Sequence, residues 1–368
     1  MDPYADRLRA LRAEPSRDVA GDPARLRRVG LTREEMRGQG AAIAATLAAE
    51  AAALDELAGR IRARGFDHLA VAGCGDSWFV GMGVRHALER LTGRPAIAAQ
   101  ALDFAHYDHA GTGPGGVVVG LSAGGNTPAV MEALRAGSGR GALTVGVSNT
   151  VASPILTEFD AALRVHASRR GWPTQSSTAA MALLVALGTR IGAGAPHAAR
   201  IAAALAGAPA AADATLEACD APMSDVARRI ADAPTVFFAG SGPSYATACF
   251  GAAKIRELAP VHAAAFPLEE LHHYRLPKRG DALFVIAADP ASRERALDTV
   301  LVGAAVGARV HVLLAAPDRE IEARCAGVVF VPSADPALAP IVHAPAMHAL
   351  AYHFAMARDA AGLGWSGN

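Results

Sequence analysis

The chain has 368 residues, enough for two domains of ordinary size, and is 52% hydrophobic and 19% charged. Basic and acidic residues balance at 35 each, so charge gives no argument for nucleic acid or a membrane surface as partner. No run reaches the roughly 18–20 apolar residues of a spanning helix, the N-terminus lacks a signal-peptide core, and Cys74, Cys219, Cys249 and Cys325 show no metal spacing; a cytoplasmic protein with reduced thiols is expected.

Residues 1–33 are arginine-rich, carry Pro15 and Pro23, and are expected to form a helical or partly loose extension with a solvated basic face. From 34 to 64, Ile43, Leu47, Ala51, Leu54, Leu57 and Ile61 recur at steps of three and four, which predicts one or two helices. Residues 67–72 predict a strand running into Gly73-Cys74-Gly75-Asp76-Ser77, with a helix over 80–91. Strand, glycine turn and helix together aim backbone N–H groups at an anion or polar ligand. A single glycine turn serves backbone angles as readily as ligands. Two further units add weight: strand 117–122, ending in Ser122, with the loop Ala123-Gly124-Gly125-Asn126-Thr127 and a helix opening at Pro128, then strand 143–147 ending in Ser148-Asn149-Thr150. A fourth strand is expected over 162–166. Such alternation predicts a parallel sheet with ligands at the carboxyl ends of its strands. Residues 168–178 read as a donor-rich loop before an apolar helix over 179–191, and 207–213 as a linker.

The pattern then begins again. A strand at 236–239 leads into Gly240-Ser241-Gly242-Pro243-Ser244-Tyr245 and a helix over 246–258; strands follow at 283–286, 309–314 and 328–331. The turn at Gly73 recurs at Gly240, 167 residues on, which predicts two duplicated α/β subdomains over 34–206 and 214–360, followed by a tail at 361–368. The halves differ where chemistry would show. The first keeps Ser122, Asn126 and Thr127, where the second has Ala287-Ala288-Asp289-Pro290. The second has Lys254 and Glu257, three apart on one helical face, followed by Glu269-Glu270-Leu271-His272-His273. The same spacing also makes an ordinary surface ion pair. One half therefore looks equipped to bind and the other to move protons.

Seven stretches taken together resemble the SIS (sugar isomerase) domain family in its tandem form, over roughly residues 34–360. They are G-C-G-D-S at 73–77, L-S-A-G-G-N-T at 121–127, V-S-N-T-V-A-S-P-I-L at 147–156, T-Q-S-S-T at 174–178, G-S-G-P-S-Y at 240–245, K-I-R-E at 254–257 and E-E-L-H-H at 269–273. The family includes the isomerase half of glucosamine-6-phosphate synthases, amino-sugar phosphate deaminases and Amadori-product deglycases. The resemblance implies an α/β fold of two SIS subdomains, each a parallel sheet flanked by helices in a flavodoxin-like, three-layer αβα arrangement. It implies a sugar or sugar-phosphate isomerase or amino-sugar deaminase that opens the ring and moves a proton through a cis-enediol or enediolamine, with no cofactor and no metal. Glu257 matches the family's base, Lys254 its active-site lysine, and His273 the ring-opening histidine lent by the neighbouring subunit of a homodimer. Ser77, Ser122 and Thr127 match phosphate-binding hydroxyls. Gly75, Asp76, Gly124, Asn126, Gln175, Ser177, Thr178 and Glu270 complete the implied substrate-binding set.

The loop at 122–127 lacks one family hydroxyl, and Asp76 stands where relatives have threonine. A carboxylate beside a phosphate dianion costs on the order of 1 kcal/mol or more even when screened, so the residues leave open whether the ligand is phosphorylated. Trp172 replaces a glutamate common in relatives. An Amadori-product deglycase, or a sugar-phosphate sensor without turnover, remains open; Glu257 together with His273 favours catalysis. With no glutaminase segment ahead of the repeat, ammonia drawn from glutamine is not expected on this chain.

Overall fold

The computed structural model describes residues 21–259, 261–274 and 276–364. The expectations for residues 1–20 and for 365–368 of the tail lie outside the described residues.

Ten strands form two five-stranded parallel sheets. The first holds β1 (His68–Gly73), β2 (Ala96–Gln100), β3 (Gly116–Leu121), β4 (Leu143–Ser148) and β5 (Ala161–Arg164) in the order β2-β1-β3-β4-β5. The second holds β6 (Thr235–Gly240), β7 (His262–Pro267), β8 (Ala282–Ile286), β9 (Arg309–Leu314) and β10 (Gly327–Phe330) in the order β10-β9-β8-β6-β7, which is the same topology read from the other edge. Both faces of each sheet are covered, as parallel sheets require. Alternate residues of one strand enter different cores: Leu69 and Val71 pack on one side, Ala70 and Ala72 on the other. In the second sheet Phe238 and Phe284 pack on one face, Leu283 and Val285 on the other.

The duplication extends to the backbone. Gly75 sits at φ 55°, ψ −129°, and Gly242 at φ 53°, ψ −128°, each capping the helix that follows the first strand of its half. Positive φ is the reason both positions are glycine. The helices that follow, Asp76–Thr92 and Pro243–Leu258, pack against each other. A Cβ at Gly83 would come 2.9 Å from Met181 Sδ and 3.5 Å from Ala246 Cβ, so glycine permits the close crossing. Phe79 and Phe250 meet edge to face nearby at 5.9 Å between centroids. This crossing brings the carboxyl ends of the first sheet over the Lys254 turn of the second half.

Four sequence expectations change. Each sheet has a fifth strand, β2 or β7. Both are edge strands rich in alanine, without the β-branched runs that mark the central strands, and β7 ends on Pro267, which only an edge tolerates. The helix expected from 179 starts at Gln175, so part of the expected loop is its first turn. The expected linker at 207–213 is the start of a long helix, Ala208–Ile230, because Ala208, Ala212, Leu216 and Cys219 bury one face. Residues 22–33 take the helical form of the two expected, but not as a solvated extension: the helix Pro23–Arg37, capped by Asp22, buries Val29, Thr32, Arg33, Glu35 and Met36. Among the described residues no helix is long and apolar enough to cross a membrane.

Candidate active site

A crevice of about 390 Å³ opens at the carboxyl ends of the first sheet's strands. Its floor is the turn after β1 and the loop after β3. One wall is the start of the helix Gln175–Ile191, another is the loop before it, and Glu257 of the second half closes the side.

Lys254 is the hub. Its side chain is fully buried, and its ammonium donates to Asp76 Oδ2 at 2.6 Å and to Glu257. The charged pair foreseen on one helix is thus a triad reaching across the two halves. Burial works against the Lys254 charge, but Asp76 and Glu257 more than offset it and hold the ammonium above its ordinary value. Glu257, with 30% of its side chain exposed, lines the crevice. Burial pushes its carboxyl up to about 7, against the pull of Lys254 and with the push of Asp76. Such a group changes charge near neutrality, the condition for taking and returning a proton. Asp76 is already matched by Lys254, so it does not present a bare negative charge to a ligand.

The loop after β3 is tied from within. Ser122 is buried, and its hydroxyl pairs with Thr127 Oγ1 at 2.8 Å while accepting from Gly125 N–H at 3.0 Å. Gly125 sits at φ +75°, where a Cβ would lie 2.1 Å from Ser153 Oγ. Ser77, Gly124, Thr127 and Ser177 line the crevice with Asp76 and Glu257. Gly75, Ser122, Asn126, Gln175, Thr178 and Lys254 are not in its lining. Gln175 donates to Ser168 Oγ at 2.7 Å, and Thr178 donates to Gln39 Oε1 at 3.3 Å, so both fasten the walls. Asn126 is exposed.

His273 and Glu270 stand apart from this crevice on the short helix Leu268–Tyr274. His273 keeps 63% of its side chain exposed, 3.8 Å from Glu269. The neighbouring His272 instead packs down, its Nε2 3.0 Å from Thr299 Oγ1.

Sequence reasoning missed Arg28, Cys74, Asn149, Arg169, Arg170 and Ser176, all of which line the crevice. Ser176 lay within the T-Q-S-S-T stretch, and Arg169 and Arg170 within the donor-rich loop. Arg28 carried no signal, because its place depends on how the helix Pro23–Arg37 docks. Thr32 and Glu35 of that helix accept from the loop: Glu35 Oε1 from Ser168 Oγ and Arg170 N–H, both at 2.6 Å, Glu35 Oε2 from Gly171 N–H at 3.1 Å, and Thr32 Oγ1 from Trp172 N–H at 2.9 Å. Among the described residues no three His, Cys, Asp or Glu side chains form a group fit for a metal ion.

Comparison with known proteins agrees with this architecture. The SIS domain description matches twice, at residues 64–190 and 229–357. The isomerizing glutamine–fructose-6-phosphate aminotransferase of Zymomonas mobilis is 29% identical over 307 residues, covering 78% of this chain and 49% of the relative. That of Symbiobacterium thermophilum is 29% identical over 305 residues, covering 80% and 50%. The chain spans about half the length of these curated relatives. Among solved structures, the C-terminal domain of glucosamine-fructose-6-phosphate aminotransferase from Francisella tularensis superposes with a TM-score of 0.75 at 20% identity, covering 89% of this chain and 96% of that one. A tagatose-6-phosphate ketose/aldose isomerase from Escherichia coli gives 0.72 at 17% identity, covering 88% and 92%. At these identities the structural matches speak for the fold.

Proposed function

The chain belongs to the SIS domain family, with two copies of the domain, and on that premise we propose that it is a sugar-phosphate isomerase or amino-sugar-phosphate deaminase. The observation that carries the proposal is Glu257: a carboxyl raised to about 7, opening into a polar crevice at the carboxyl ends of a parallel sheet. The names of the relatives and fold neighbours, an isomerizing glutamine–fructose-6-phosphate aminotransferase and a tagatose-6-phosphate ketose/aldose isomerase, lie in the same chemistry.

In this reading the open-chain sugar lies with its anionic end at Thr127, Gly124 and Ser77. Glu257 takes a proton from the carbon next to the carbonyl and returns it to the neighbouring carbon, through an enediol or enediolamine. Lys254 stays charged and buried. It acts through Asp76 and Glu257, holding the base in place and favouring return of its negative charge after the proton has moved on. Ring opening needs an acid–base group besides Glu257, and no histidine lines the crevice among the described residues. We assign it to His273 of a second copy, since His273 is exposed and outside its own crevice.

The test uses fructose 6-phosphate and glucosamine 6-phosphate as substrates, following both ketose–aldose conversion and ammonia release. Glu257→Gln and His273→Gln should each abolish turnover, while refolding the two inactive variants together should restore part of it. No turnover of any hexose or amino-hexose phosphate by the wild type would defeat the proposal. Failure of the mixed variants to recover would remove only the shared-site assignment.

A further inference from the structure

The crevice holds more positive charge than its own carboxylates can match. Its acidic lining residues, Asp76 and Glu257, share the single Lys254 ammonium, which leaves that triad one negative charge when Glu257 is ionised, against three lining arginines. Arg170 is paired with Glu34 at 2.8 Å. That leaves Arg28 and Arg169, which line the crevice and make no ion pair among the described residues.

The two arginines belong to opposite ends. Arg169 reaches over the loop after β3: its Nη1 lies 3.4 Å from where a Cβ on Gly124 would sit. Arg28 comes from the helix Pro23–Arg37, ahead of both family-matched segments. Its guanidinium lies 4.1 Å from the centroid of the Trp172 ring, and its charge bears directly on Glu257. Stacking on an indole fixes the plane of a guanidinium while leaving its N–H edge free for a carboxylate or phosphate. The backbone of Trp172 is itself anchored, since its main-chain N–H donates to Thr32 Oγ1 of the same helix that carries Arg28. The cation beside the base is therefore held in place by the indole, with no ion pair of its own among the described residues and with its charge set against that of Glu257.

We propose that the crevice takes a sugar derivative with negative charge at both ends, Arg169 holding the anionic group over the loop after β3 and Arg28 holding a second one next to Glu257. This rests on the sugar-phosphate reading above and narrows it. The second group is a carboxylate or phosphate on the reacting end of the chain, as in a sugar acid or in an amino sugar whose nitrogen carries a carboxyalkyl substituent. Unpaired, such an anion would be repelled by Glu257; Arg28 offsets that repulsion and, by its fixed plane, offers two parallel hydrogen bonds.

The test compares two unreactive probes by calorimetry on the full chain: glucitol 6-phosphate, anionic at one end, and 6-phosphogluconate, anionic at both. The wild type should bind 6-phosphogluconate at least tenfold more tightly. Arg28→Gln should erase that preference by weakening 6-phosphogluconate alone, and Arg169→Gln should weaken both probes by similar factors. A wild type without the preference overturns the proposal, and so does an Arg28→Gln that weakens both probes equally, since Arg28 and Arg169 would then share one anion. If the wild type binds glucitol 6-phosphate without preference, only the second-anion proposal falls. If it binds neither probe, the sugar-phosphate reading falls with it.

Discussion

Lys254→Met tests the triad at the join between the halves. It removes a fully buried ammonium and leaves Asp76 and Glu257, whose side chains are 14% and 30% exposed, beside each other without a cation. Removing one partner of a buried ion pair costs about 3–5 kcal/mol. Partial exposure of Glu257 and its freedom to protonate place the expected loss at the lower end, about 3 kcal/mol at alkaline pH. The sign with pH follows from the carboxyls. Without Lys254 the Glu257 carboxyl rises further above its ordinary value, so the deficit is small at acid pH and grows as pH rises through 7 and beyond. Urea titrations of wild type and variant at about pH 5 and pH 8, on either side of the Glu257 transition, measure both quantities. Adding Asp76→Asn and Glu257→Gln to Lys254→Met should recover most of the loss, because the uncompensated charges are then gone. A loss below about 1 kcal/mol at pH 8, or no recovery in the triple variant, would refute the buried-triad reasoning.

Glu35→Ala strands three donors of the crevice loop, Ser168 Oγ, Arg170 N–H and Gly171 N–H; it should cost about 2–3 kcal/mol in thermal or urea unfolding and raise KM more than it lowers kcat, and an unchanged KM would count against the loop's role. His348 is fully buried, with burial and the Lys254 charge holding it down to about 3. Its stabilising neutral form is present above the unfolded value of 6.5 and is lost as pH falls toward 3. His348→Gln should therefore gain about 2 kcal/mol relative to wild type between pH 7.5 and pH 5; an equal difference at both pH values would exclude this. Gly59→Ala, at a half-buried helix position with nothing within 4 Å of the new Cβ, should stabilise by about 0.5–1 kcal/mol. Gly146→Ala, whose Cβ would lie 1.7 Å from Ile155 O, should destabilise by about 1–3 kcal/mol or more, and urea midpoints read both.

Much of the fold was legible because its signals are local. Valine runs such as 117–119, ending in small residues, announced the central strands, and the recurring glycine turn announced the repeat. Edge strands β2 and β7 were not legible, because one neighbour and half-exposed faces let alanine serve where a central strand needs branched side chains. In the site, the Lys254–Glu257 pair could be read from helical spacing alone. Its third member could not: Asp76 lies 178 residues away, and only the crossing of two helices at Gly83 brings it to Lys254. Asp76 therefore read as a bare carboxylate facing the ligand, when it is a matched one. Arg28 and Glu35 were hidden for a similar reason. Arg28 sits in the arginine-rich segment that looks solvated, and Glu35 just past its expected end, until Thr32 and Glu35 are seen buried against the loop at 168–172.

The most direct measurement is exchange of carbon-bound hydrogen in fructose 6-phosphate with D2O, followed by NMR across pH for wild type and Glu257→Gln. The proposed function predicts exchange at C1 by the wild type, with a rate that flattens above pH 7 and falls tenfold per unit below it, following the Glu257 carboxyl at about 7. Glu257→Gln should lose at least about a hundredfold of that rate. Exchange that persists in Glu257→Gln, or that shows no acid limb near neutrality, would contradict the assignment of Glu257 as the base.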